Sequence, residues 1–175
     1  MPGRWMINDH RSISQKLSDV SSTQMHPEGM IVRGQYTGFA SGSNNYGSGE
    51  FMYLKGVAST IVGALVTFDP LNHTTTLAPN TANLNNPVAV AMGAAVASTW
   101  GWYQVGGVAL VKKTGVPVSP GVAVFLSGTA GRIKSTTATG KQIVNARSVN
   151  AATIAAATSS VPVLINRPHA QGQII

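Results

Sequence analysis

The residues that could do acid–base or metal chemistry are few in this chain and stand far apart. Asp and Glu together number 5 among 175 residues, and there is no cysteine. General acid–base catalysis needs paired carboxylates, but residues 51–175 hold one acid, Asp69, within an Asp-Pro turn signal. The four histidines lack the close spacing typical of metal ligands; they are His10, His26, His73 and His169. Phosphate-loop and G-x-S-x-G motifs are absent from the sequence. The sequence therefore predicts no enzyme activity, no metal, no cofactor and no small-molecule substrate.

Charge is sparse and unevenly distributed. Charged residues make up 10% of the chain, against roughly 25% in an ordinary soluble domain. Residues 1–50 hold four basic and four acidic residues, whereas residues 51–175 hold eight basic residues and one acid. A surface with so few charges must be polar through Ser, Thr and Asn, or be covered by partners. We interpret the change near Glu50 as the boundary between a neutral segment, 1–50, and a basic body, 51–175.

The neutral segment has the features of an extended N-terminal arm. Turn-forming and flexible runs occupy residues 21–29 and 42–49. Apolar residues stand between them as isolated anchors, namely Trp5, Met6, Ile7, Tyr36 and Phe39. Such anchors suit an arm that lies across a neighbour's surface, and the alternative is an edge segment packed on its own domain. Residues 1–20 carry charges throughout and lack the apolar run of a secretion signal, so we expect synthesis in the cytoplasm.

The body is typical of an all-β fold. Short runs rich in Val, Ile and Ala are separated by Gly, Pro, Asn and Thr, which predicts a small β-barrel or β-sandwich. Strands are expected near residues 51–57, 65–68, 74–77, 88–92, 102–112, 122–126, 132–135, 142–147 and 161–165. Residues 151–158 are Ala-rich and fit either a short helix or a loop.

One uncharged stretch, residues 88–111, is long enough to be compared with a membrane span. Its middle holds Ser98, Trp100 and Trp102, whereas the aromatic residues of a span lie at its two ends. The pattern favours two buried strands joined by a turn near residues 98–101, with no membrane partner.

Basic residues and aromatic rings are the remaining candidates for binding. Basic strands with exposed rings are typical of platforms for single-stranded nucleic acid. Here the rings cluster at residues 100–103, away in sequence from most of the basic residues, and no known nucleic-acid motif is present. The sequence favours a protein partner over nucleic acid.

The body resembles the small β-barrel decoration, or cement, proteins of tailed-bacteriophage capsids. The resemblance covers about residues 55–166 and is carried by GALVTFD at 63–69, TTTLA at 74–78, PVAVAM at 87–92, WYQVGGVALV at 102–111 and VSPGVAV at 118–124. It implies a homotrimer on the outer surface of the virion. The trimer would bind the major capsid protein and stabilise the shell against the pressure of the packaged DNA.

The sequence thus predicts a structural virion protein, with two alternatives. One is another virion component, such as a head-fibre base or a tail protein, and the other is a β-barrel that binds single-stranded nucleic acid. We expect the arm to tie one trimer to adjacent capsid subunits through Trp5. The candidate contacts with capsid or partner are Arg4, Trp5, Ile7, Arg33, Tyr36, Phe39, Trp100, Trp102, Lys112, Lys113, Arg132 and Lys134.

Overall fold

The fold is built from β-strands in the part of the chain that the structure describes. The computed structural model describes residues 5–7, 15–37 and 45–173, and these ranges contain no helix. The strands are β1 (Trp5–Ile7), β2 (Val20–Ser21), β3 (Ile31–Tyr36), β4 (Ser48–Lys55), β5 (Leu65–Phe68), β6 (Thr75–Leu77), β7 (Val88–Ala91), β8 (Trp100–Lys112), β9 (Ala123–Leu126), β10 (Ile133–Lys134), β11 (Gln142–Ser148) and β12 (Ser160–Ala170). The predicted all-β class is confirmed, and residues 151–158 form a loop.

All nine strands predicted for the body are present. Their β-branched and aromatic residues suit a pleated, half-buried surface, and the turns between them fall where Gly, Pro and Asn were expected. The largest difference is at β12, which continues past Ile165 to Ala170. Its pairing with β11 is irregular between Ile165 and His169, so Pro168 sits where no ladder N–H is required.

The strands form one sheet whose strand pairs are all antiparallel. The main path runs β1-β3-β4-β8-β12-β11-β9-β10, and β2, β5, β6 and β7 branch from it. The path ends at β1 and β10, which do not pair, so the described sheet is not closed.

The longest strand, β8, organises this sheet. Residues 100–106 pair with β4, and residues 106–112 pair with β12. The first of these stretches also pairs with β2 and β7. The turn at residues 97–98 separates β7 from β8, which confirms two strands in the uncharged stretch. No helix in the described ranges is long and apolar enough to cross a membrane.

Three clusters of buried side chains form the core. The first lies under the second half of β8 and includes residues of β9, β11 and β12. The second joins β5 and β7 to Tyr103 and Val105 of β8. The third joins Leu17 and Val32 to Phe51, Tyr53 and Trp102.

The third cluster decides how the first fifty residues are arranged. β3 pairs along β4, and β1 pairs with β3. Leu17 and Val32 are buried against the body, so an extended arm is not shown by residues 5–7 and 15–37. These residues follow the alternative, a segment packed on its own domain, and β4 runs through Glu50 without interruption. Shielding the rings of Phe51, Tyr53 and Trp102 from water favours this packing.

Candidate protein-binding face

The second half of β8 packs one face on the core and leaves the other face open. Ala109 and Val111 are buried in the first cluster. Successive side chains of a strand point to opposite faces, so Val108, Leu110 and Lys112 point away from that cluster. Leu110 is 49% exposed.

The neighbouring strands extend this exposed surface. Leu164 of β12 lies opposite both Val108 of β8 and Arg147 of β11. Pro162 lies opposite Leu110, and Val149 donates its backbone N–H to the carbonyl of Pro162. We name this surface the open face. Its outward side chains are Val108, Leu110, Lys112, Arg147, Val149, Pro162 and Leu164.

Two shallow depressions flank the centre of the open face. One, of about 500 Å³, lies between Tyr46 and the loop that begins at Val149. The other, of about 260 Å³, lies between Tyr46 and Leu110. Tyr46 and Val108 line both depressions, so the surface is continuous and undulating. Such relief can receive protruding side chains of a partner.

Asn150 fixes the loop beside the larger depression. Its Nδ2 donates to the carbonyl of Val118 at 2.9 Å and to that of Ala152 at 2.8 Å. Its Oδ1 is buried and has no hydrogen-bond partner in the structure. A buried acceptor without a partner is costly, so the two hydrogen bonds of Nδ2 are what hold this side chain in place.

Lys113 lies beneath the surface, although the sequence predicted it as a partner contact. Its side chain is 1% exposed, and Nζ donates to the carbonyls of Thr114, Val116 and Ala156 at 2.9–3.1 Å. Burial lowers the pKa of Lys113 from its ordinary value. The prediction is corrected here, because this ammonium ties the loop after β8 to the loop before β12 and is withdrawn from partners.

The cations around the open face differ in whether they are paired. Glu50 accepts from Arg33 at 3.1 Å and from Arg167 at 3.2 Å, so these two guanidiniums share one carboxylate. Arg147 and Lys112 have no ion pair with any carboxylate of the described residues. The open face is therefore an aliphatic surface with positive charge at its edge that no carboxylate of the described residues compensates.

The predicted contacts near the N-terminus pack on the body. The Trp5 ring stands edge-on to Tyr36 and Phe51, with centroids 5.5 Å and 5.1 Å apart. Ile7 packs on the same cluster, whereas Arg33 stays exposed. Arg4 and Phe39 lie outside the described residues.

The two predicted tryptophan contacts in β8 have different surroundings. Trp102 is 1% exposed within the third cluster, so its prediction as a surface contact is corrected. Trp100 is half-buried. Its Nε1 donates to Glu28 at 2.6 Å, and Lys55 lies over its ring at 5.4 Å.

The remaining predicted cations lie beyond the open face or at its edge. Arg132 donates to the carbonyl of Lys113 at 3.2 Å, and Lys134 lies on the short edge strand β10. Lys112 is the one predicted contact that belongs to the open face itself. Sequence reasoning missed its aliphatic centre, Val108, Leu110, Pro162 and Leu164, although alternation within β8 and β12 marks these residues as facing away from Val111 and Val163.

The titratable side chains of the described residues are dispersed over the fold. No three His, Asp or Glu side chains among them converge on a common point. His26 is buried against the rings of Tyr53 and Trp102. Asp69 accepts the backbone N–H groups of Asn72 and Leu71, which lower its pKa and fix the turn after β5.

Comparison with known proteins gives no relative from which a function could be carried over. No model of a known protein family matches the chain, and no curated protein or solved structure matches it either.

Proposed function

We propose that this protein is a structural component of a virion. It decorates and stabilises a phage capsid by binding the major capsid protein as a homo-oligomer, and the resemblance to decoration proteins implies a trimer. The observation that carries the proposal is the open face. It exposes an aliphatic surface across three strands, with Leu110 49%, Val149 37% and Leu164 36% exposed. Contiguous apolar surface of this kind is typical of protein–protein contacts.

The composition of the open face suits a protein–protein contact that is stabilised by buried apolar area. Its centre is aliphatic and its charges stand at the edge, as in the core and rim of a protein interface. Each copy would contribute a modest contact, and an oligomer that engages several shell subunits at once gains avidity. Such a protein stabilises a shell without performing chemistry, and the resemblance of residues 55–166 to capsid decoration proteins leads to the same role.

The copy number in purified particles tests this role. We expect quantitative mass spectrometry of particles from the virus that encodes the chain to give a copy number comparable to that of the major capsid protein. A few copies per particle would contradict the proposal and indicate a head-fibre base or a tail component. Absence from the particles would contradict any virion role.

The oligomeric state is tested separately on the purified chain. We expect light scattering to give the mass of a trimer at micromolar concentration. A monomer at all accessible concentrations would contradict the homo-oligomer.

A further inference from the structure

We infer that the open face docks on an acidic surface of another protein, and not on a second copy of this chain or on nucleic acid. This inference rests on the proposed function, because it takes the partner to be a protein. Three observations carry it: the cations of the open face that no described carboxylate pairs, the engagement of the chain's own described carboxylates, and the packing of its tryptophan rings within the chain.

The two cations of the open face, Arg147 and Lys112, indicate that the partner surface is acidic. Arg147 lies in the same cross-strand row as Leu164 and Val108, and Lys112 follows Leu110 on the same side of β8. Neither has an acidic partner among the described residues, in contrast to Arg33 and Arg167. A partner that covers the aliphatic centre would meet these two charges at its rim, where carboxylates on the partner would be attracted and cations repelled.

A second copy of the chain is poorly equipped to supply those carboxylates. Glu50 is shared by two guanidiniums, and Glu28 accepts from Trp100. Asp69 is held by the backbone of its own turn. Of the acids in the described ranges this leaves Asp19, whose carboxylate accepts from the Ser18 hydroxyl at 3.4 Å. Two copies joined through their open faces would therefore bring like charges together.

Nucleic acid is negatively charged too, but the rings beside the open face, Trp5, Tyr36 and Tyr46, are half-buried and pack edge-on against one another. Stacking platforms present aromatic rings to the bases. Trp102 is buried, Trp5 packs between Tyr36 and Phe51, and Trp100 is held by Glu28. The outward side chains between Arg147 and Lys112 are aliphatic, which favours an apolar protein surface flanked by Asp or Glu.

Zero-length carbodiimide coupling in the intact assembly tests the inference. This reagent joins an amine to a carboxylate in direct contact, and mass spectrometry identifies the two residues. We expect Lys112 to couple to an Asp or Glu of a different protein. K112R is the matched control, because it keeps the charge and loses the reactive amine, so the coupled product should disappear while the assembly persists.

Several outcomes would overturn the inference. They are coupling of Lys112 to a carboxylate of this same chain in another copy, a nucleic-acid adduct at Lys112, and coupling at Lys134 or Lys141 with none at Lys112. The proposed function fails differently. An acidic partner that is not a shell subunit would contradict capsid decoration and leave the inference standing.

Two charge-reversal variants, R147E and K141E, test the same contact through the affinity for shells. With shells that lack the protein as the probe, R147E should weaken binding by about tenfold or more, as expected for loss of an interfacial charge pair. K141E makes the same change in net charge at a residue that donates to Asn80 away from the open face, and should weaken binding less than about twofold. Equal losses in the two variants would show a non-specific charge effect and overturn the inference.

Discussion

The two halves of β8 belong to one continuous strand, yet they meet very different surroundings. In the first half, Trp102 packs under residues of the first fifty, and Tyr103 packs against β5 and β7 on the opposite side. In the second half, Val111 is buried while Leu110 is exposed. The change occurs at Gly106 and Gly107, where β4 gives way to β12 as the paired strand.

The difference lies in what covers the strand rather than in the strand itself. Val108 and Leu110 are as apolar as a core residue, but an irregularity in the pairing of β4 with β8, between Gln104 and Gly106, separates them from the covered half. Leu17 and Val32, from the first fifty residues, cover the Trp102 side chain in the first half of β8. The apolar residues of β8 are therefore buried in a core in one half and partly exposed to water in the other.

The largest loss of stability is expected when a buried side chain is removed from the first half of β8. Trp102→Ala should lower the free energy of unfolding by about 3–5 kcal/mol, because it removes a fully buried ring from the third cluster. Leu164→Ala on the open face should lower it by less than about 1.5 kcal/mol, because 36% of the residue is already exposed. Urea unfolding measures both, and similar losses would contradict the distinction between the halves.

A smaller effect is expected at the junction between the halves. Gly107 has φ of +91°, and a Cβ there would collide with the carbonyl oxygen of Ser48. Gly107→Ala should therefore cost about 1–3 kcal/mol of stability. Gly115→Ala is the control, since no atom lies within 4 Å of the position of its Cβ. Equal melting temperatures of the two variants would show that the junction tolerates a side chain.

The adjacent lysines at the end of β8 sharpen the comparison further. Lys113→Met should lower stability at neutral pH by about 1–3 kcal/mol, because three backbone carbonyls lose their donor. Lys112→Met removes a charge from the open face and should change stability by less than about 0.5 kcal/mol. Chemical unfolding of the two variants compares a buried and an exposed lysine directly, and equal losses would contradict the assignment.

The same variant has a distinct pH dependence. Burial lowers the pKa of Lys113 below its ordinary value of 10.5. Between the folded pKa and 10.5, the unfolded chain holds a proton that the folded chain has released. The stability of the wild type relative to Lys113→Met should therefore rise with pH through this window, and the gain is lost as pH falls through the folded pKa. A difference that does not change with pH, or that falls, would contradict the burial of this ammonium.

The smallest effect on stability is expected at the centre of the open face. Leu110→Thr should unfold at nearly the same urea concentration as the wild type, because 49% of Leu110 is already exposed and Thr suits a strand. Its binding to shells that lack the protein should be lost. A large loss of stability would show that Leu110 is part of the core.

The body could be predicted from sequence because its strands are local patterns, β-branched runs bounded by turn residues. The short strands β1, β2 and β3 were missed because they depend on distant partners. Val32 and Gly34 are buried only because β3 pairs with β4. The two lysines show the same limit, since alternation from Ala109 and Val111 places Lys113 inside, but nothing local reveals the carbonyls that hold it.

The open face could be predicted only in part for the same physical reason. Alternation shows that Leu110 and Leu164 lie on the side opposite Val111 and Val163. Whether that side is covered depends on where the first fifty residues pack, which is a property of the whole fold. The Glu50 ion pairs, which separate paired from unpaired cations, likewise join residues distant in sequence.

Hydroxyl-radical footprinting of the intact assembly and of the free chain tests the role of the open face most directly. Leu110 and Leu164 should lose most of their reactivity in the assembly. Leu71, which is 82% exposed on the turn fixed by Asp69, serves as the internal reference and should keep its reactivity. If Leu110 and Leu164 react equally in the assembly and in the free chain, the open face is not the docking surface and the account is wrong.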